Sequence, residues 1–112
     1  MFMVIIQLFR NEYKEDLFMA LSSAGIFNTT YCDAVNLDNE LKGSLSLFSG
    51  LFKSPGEKEK YAKIYFCTAD SEEQVEDVID GFEIAGIDWK SEEIFQIAVL
   101  PISKLYKPDS KA

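Results

Sequence analysis

The chain has 112 residues, 47% apolar and 27% charged, a composition that fits one globular domain, 1–112, near the size at which assembly begins to help stability. Its net charge of −8 repels phosphate backbones and argues against a nucleic-acid partner. There is no histidine, so the commonest general base and the commonest metal ligand are both missing; no catalytic residue and no metal site is expected.

In chain order, the first element is the apolar run Met3–Phe9, "MVIIQLF", which reads as a strand. The uncharged stretch Met1–Phe9 is too short to span a bilayer. It has no basic residue before it and no small-residue cleavage site after it, so a cytoplasmic protein is expected. A helix follows: Tyr13, Leu17, Ala20, Leu21 and Ala24 recur at three- and four-residue spacing, Asn11 stands where a cap is wanted, and Gly25 supplies the left-handed residue that ends it. Thr29–Leu37 reads as the second strand. It carries Cys32, which lacks CxxC spacing to Cys67, and both are expected to be reduced thiols in the core.

Residues 38–60 form a long excursion. Within it "KGSLSLFSGLFKSPGEKEK", Lys42–Lys60, has the glycine, proline and serine content of a loop, yet Leu45, Leu47, Phe48, Leu51 and Phe52 crowd its first half. A surface connection stays polar because its backbone has to be solvated, so an apolar loop is built to meet a partner or to fold back. The second reading has its own support: Phe48, Leu51 and Phe52 fall at i, i+3 and i+4, so Ser44–Lys53 can form a short amphipathic helix over its own subunit or a neighbour. Lys53, Lys58 and Lys60 follow the apolar part, a pattern that suits a membrane-proximal target.

Tyr61–Thr68 reads as the third strand. The second helix shows Val75, Val78, Ile79, Phe82 and Ala85 on one stripe, a capping box at Ser71-Glu72-Glu73-Gln74, and Gly86 at its end. Ten carboxylates lie between Asp70 and Glu93 against Lys90 alone, which reads as a solvated helix face. Ile94–Leu100 is the last strand, and 103–112 a C-terminal tail.

The two halves repeat. At an offset of 61, Ala24-Gly25-Ile26 falls on Ala85-Gly86-Ile87, with Leu17 on Val78, Phe18 on Ile79 and Leu21 on Phe82. The order is therefore βαββαβ, an α+β ferredoxin-like arrangement: an antiparallel four-stranded sheet with both helices on one face and the long loop between strands two and three. The free face of such a sheet should alternate polar residues toward water, but "MVIIQLF", "IYFC" and "IFQIAVL" are apolar at both parities. Both faces therefore ask for burial, and sheet packed on sheet from other copies of the chain is the simplest answer.

This plan resembles the PII signal-transduction proteins and their PII-like relatives. The resemblance rests on the N-terminal apolar strand, the helix closing with Ala24-Gly25-Ile26, the long loop, and a last strand running into Pro101-Ile102. It implies a cytoplasmic homotrimer without enzymatic activity that senses a small effector in clefts between subunits. Such a protein regulates a target through the loop 38–60, the T-loop, membrane transporters being a recurrent target type. Ligand contacts carried over in this way are Leu37, Asn39, Lys42, Gly43, Lys90, Lys104 and Lys107; the partner-binding set is Leu45, Leu47, Phe48, Leu51, Phe52 and Lys53. Where nucleotide-binding members have a glycine-rich turn, this chain reads Leu37-Asp38-Asn39-Glu40-Leu41-Lys42-Gly43, with only Lys42-Gly43 shared, and Glu93 or Gln96 stands where a phosphate-facing lysine belongs. A polyphosphate needs several donors and cations held together, so a tight magnesium-ATP site is not expected, and an adenine mononucleotide or a small anion fits the remaining cations better. The last-strand region "EEIFQIAVLP" is also similar to CutA proteins, which implies a trimer with a metal-tolerance or structural role as the alternative.

Overall fold

A computed structural model describes residues 1–37 and 61–109. The elements are β1 (Phe2–Leu8), a 3-10 turn (Asn11–Tyr13), α1 (Lys14–Ser23), β2 (Thr30–Val35), β3 (Tyr61–Ala69), α2 (Glu72–Ile84) and β4 (Phe95–Pro101). The four strands form one sheet in the order β2-β3-β1-β4, and every neighbouring pair is antiparallel. The fold is the ferredoxin-like one expected, with β1 and β3 central and β2 and β4 as edges. The excursion 38–60, including Asn39, Lys42, Gly43 and the apolar set Leu45–Lys53, lies outside the described residues.

The core forms between the sheet and the helix pair. Val4, Ile6 and Leu8 alternate along β1 toward the helices, and Leu17, Leu21, Val75, Val78 and Phe82 come down to meet them. Burying each of these side chains contributes about 1.5–3 kcal/mol, so this layer carries most of the fold's stability.

The internal repeat is visible in the hydrogen bonds. Each helix closes with the same pair of contacts: Ile26 N donates to Leu21 O at 2.9 Å and Gly25 N to Ser22 O at 3.1 Å, while Ile87 N donates to Phe82 O at 3.0 Å and Gly86 N to Glu83 O at 3.0 Å. Gly25 and Gly86 sit at φ 79° and 76°, the left-handed conformation this closure requires. At the start of α2, Ser71 Oγ accepts from Gln74 N at 3.4 Å and Gln74 Oε1 accepts from Asp70 N at 2.7 Å, a capping box whose return arm lands one residue early.

Two local expectations need correction. Asn11 does not cap α1: it opens the 3-10 turn instead, α1 has no side-chain cap, and Asn11 Oδ1 is buried without a hydrogen-bond partner. Cys67 is in the core, but Cys32 is exposed, because β2 is an edge strand and Cys32 pairs with Ile64 on the face away from the helices.

That helix-free face is apolar and uncovered within one chain. Met3 pairs with Thr68 and Leu100, and Ile5 with Phe66 and Ala98. Phe66 is 39% exposed and Leu100 45%, whereas Val4, Ile6 and Cys67 on the helix side are 4% or less.

Candidate functional site

The helix side of the sheet is not closed uniformly. Tyr65 pairs with the buried Ile6, so Tyr65 and Lys63 point toward the helices, and their partners on β2, Tyr31 and Asp33, point the same way. α1 does not reach over them. Between α1 and this outer half of the sheet runs a groove of about 670 Å³, within the size range of small-molecule sites.

Each wall has a chemical character. Phe18 of α1 and Phe27 of the following connection give one aromatic side; they are 68% and 67% exposed, although their neighbours Leu17 and Ile26 are buried. Tyr31 and Tyr65 give the other, with ring centroids 5.4 Å apart. Lys63 Nζ donates to Asp33 Oδ1 at 2.7 Å and lies 4.9 Å from the Tyr31 ring centre, so the ammonium is held by a carboxylate and a π-face together. The Asp33 hydrogen bond raises the Lys63 pKa despite some desolvation, and burial pushes the Tyr65 hydroxyl up. At neutral pH the groove therefore offers a fixed cation and a phenol that remains a donor.

Lys14 and Glu15 stand at the rim, and Asn28 takes φ 61° to turn the chain into β2, a conformation asparagine tolerates. Thr29 Oγ1, in the groove wall, is buried without a partner in hydrogen-bonding geometry. The hydroxyl nevertheless lowers the pKa of the Cys67 thiol, which burial raises; their contact is an approach rather than a well-formed bond. Aromatic faces, hydroxyls and a held ammonium suit the binding of a flat ring with an anionic substituent.

The residues singled out from the sequence lie elsewhere. Leu37, 64% exposed, follows β2 at one edge of the sheet; Lys90 precedes β4 at the opposite edge, its Nζ 5.3 Å from the Trp89 ring centre; Lys104 and Lys107 are exposed beyond the far end of β4. One chain does not bring these four together. Tyr31, Tyr65, Lys63 and Phe18 were not found from the sequence, and the signal available was slight: Tyr31–Asp33 and Lys63–Tyr65 each put an aromatic and a charge on one strand face.

Neither a known family model nor a curated protein matches the sequence. Among solved structures, CPII from Thiomonas intermedia K12, bound to ADP, AMP and acetate, superposes with a TM-score of 0.51 at 18% identity, over 88% of this chain and 82% of that one. What it shares with this chain is the fold, the ferredoxin-like arrangement of a PII-family protein. Among the described residues, no helix is long and apolar enough to cross a membrane.

Proposed function

We propose that this protein is a non-enzymatic PII-like regulator. It assembles as a homotrimer, senses a small effector in clefts between subunits, and acts on a partner protein, a membrane transporter being the type that fits the apolar loop 38–60. The observation that carries the reading is the uncovered apolar face of the sheet, with Met3, Ile5, Phe66 and Leu100 at its centre. Leaving such a face in water is costly, and three sheets packed inward bury it while keeping the helices outside. Closing a ring also sets the β2 edge of one subunit beside the β4 edge of the next, so that Leu37 and the aromatic groove on one side meet Lys90, Lys104 or Lys107 on the other. An adenine mononucleotide or a small anion suits such a cleft: the rings take the base, and scattered lysines take one phosphate. The ADP, AMP and acetate bound by CPII support this choice of chemistry.

Sedimentation equilibrium and calorimetry with AMP, acetate and magnesium-ATP test the proposal. The wild-type chain should sediment as a trimer at micromolar concentration and bind AMP more tightly than magnesium-ATP. Ile5→Glu with Phe66→Glu should give a folded monomer that no longer binds AMP. A wild-type monomer would overturn the assembly, and a tight magnesium-ATP site would overturn the choice of effector.

A further inference from the structure

The outward side of the helix pair holds a second feature, and the internal repeat builds it. α1 and α2 meet at Ala20 and Gly81, where a Cβ on Gly81 would stand 3.4 Å from the Ala20 Cβ. Over this contact lies a groove of about 420 Å³ to which both helices and their C-caps contribute equivalent positions: Asp16, Ala20 and the C-cap Ala24 on one side, and Asp77, Gly81 and the C-cap Ala85 on the other, each pair 61 residues apart. Small residues make its floor and an aspartate marks the early turn of each helix. Because the helices return over strands that are antiparallel, those two aspartates stand toward opposite ends of the groove.

The remaining lining is apolar and solvent-facing. Met19 is 63% exposed and Ile84 87% exposed, on facing helices. Asp80 adds a third carboxylate, the lining includes no cation, and among the described residues no Lys or Arg pairs with Asp16, Asp77 or Asp80. α2 itself has six acids from Glu72 to Glu83 and no basic residue. An apolar trough between two negative ends is therefore complementary to one kind of occupant.

We infer that this groove docks a cationic amphipathic segment of a partner protein, with basic side chains at both ends and apolar ones between them. The stripe from position 16 to the C-cap at 24 rises about 12 Å at 1.5 Å per residue, so the cations of a docked helix lie about two turns, seven to eight residues, apart. The same helix face of a second copy is a poor occupant, because it would bring the same negative charge. The surface lies on the opposite side of the molecule from the apolar sheet, and it stands whether or not the trimer, the effector or the loop behave as proposed above. Attraction of opposite charges should make association fast and salt-sensitive, while the trough sets the register.

The test uses the full 15N-labelled chain and three synthetic peptides: a helix-forming peptide with lysines seven apart and leucines between them, the same peptide with glutamate for lysine, and an oligolysine of equal charge without leucine. Binding of the first should move the amide signals of residues 16–24 and 77–85 and weaken at least tenfold between 50 and 200 mM salt. Asp77→Lys with Asp80→Lys should weaken it at least tenfold, and Ile84→Ser at least threefold; these side chains are exposed, and the unchanged amide spectrum of each free variant checks the fold. Equal binding of the oligolysine, shifts spread over the whole acidic face, or indifference to Ile84→Ser would overturn the proposal. So would concentration-dependent shifts at the same residues without peptide, which would make a second copy the occupant.

Discussion

The two helix-to-strand halves of this molecule share a helix-closing turn and diverge immediately after it. From α1 to β2 the connection is six residues, 24–29; from α2 to β4 it is ten, 85–94. The longer connection folds Trp89 back against Phe95, with the rings stacked at 4.7 Å, and Phe82 also meets Phe95, tilted, at 4.8 Å. Ile94 N donates to Trp89 O, and Phe9 N donates to Ile94 O, which ties this cover to the end of β1. The Tyr13 hydroxyl also donates to Glu92 Oε2 at 3.1 Å, so one acid of the charged turn has a structural partner. The shorter connection has one ring, Phe27, but it stays 67% exposed in the groove wall and makes no such cover. The Tyr31–Tyr65 pair remains open, and the space over it is the candidate ligand groove. The repeat gives one supersecondary unit twice, and the two copies differ in the length of one connection and in whether the rings beside it are covered.

The sharpest way to break this comparison is to remove a ring from each half. Phe82→Ala takes a large side chain from the closed half, where Phe82 is 1% exposed, and should cost about 3–5 kcal/mol. Tyr31→Ala removes a ring that is 56% exposed and should cost about 1 kcal/mol or less. Urea denaturation of the two variants measures both. Comparable losses would mean that the groove's rings are packed core and not a binding surface.

The helix-closing turns sharpen it from the other side, since here the halves are the same. An L side chain in the left-handed region costs about 1–2 kcal/mol, so Gly25→Ala and Gly86→Ala should each lower stability by that amount. A small difference is expected. A Cβ at Gly25 would meet Gln74 Nε2 at 3.4 Å, the atom that donates to Ala24 O, whereas nothing lies within 4 Å at Gly86. Gly25→Ala should therefore be the costlier by a few tenths of a kcal/mol, about the resolution of paired denaturation curves.

Much of this fold was legible because its signals are local or repeated. The stripe Val75, Val78, Phe82 is buried as its spacing requires, and the offset of 61 reappears in the closing hydrogen bonds. Apolar residues at both parities of β1 and β3 announced a sheet with an uncovered face. The groove was not legible, because it depends on register between strands distant in sequence: Tyr31 opposite Tyr65 and Asp33 opposite Lys63 are pairings that no window of the sequence contains. Cys32 failed for a related reason. Its apolar neighbourhood suggests a core strand, but only the sheet order makes β2 an edge. The candidate site residues Leu37, Lys90, Lys104 and Lys107 belong to opposite edges and ends of one sheet, so a single chain does not bring them together.

The smallest effect expected comes from Cys67, which lies in the core both halves share, paired with Val4 on the helix side of the sheet. Burial raises its thiol pKa above the ordinary 9.0. A raised pKa means that the folded state holds this proton after the unfolded chain has released it. The contribution is therefore fully present below pH 9.0 and is lost as pH rises from there through the folded value. Tyr65 and Tyr13, whose pKa values are raised from 10.0, and Lys63, raised from 10.5, join in as pH approaches 10, so the thiol's share is read from the difference between the wild type and Cys67→Ala between pH 9 and 10. Stability measured by urea denaturation should fall across that interval by less than about 1 kcal/mol, and Cys67→Ala, though less stable throughout, should show a flatter profile there. Thr29→Val sharpens the test, because it removes the hydroxyl that lowers the thiol's pKa: the fall should begin at the same pH and continue to a higher one. A Cys67→Ala profile parallel to that of the wild type would mean that the thiol titrates alike in both states and that the core opens to water beneath the groove.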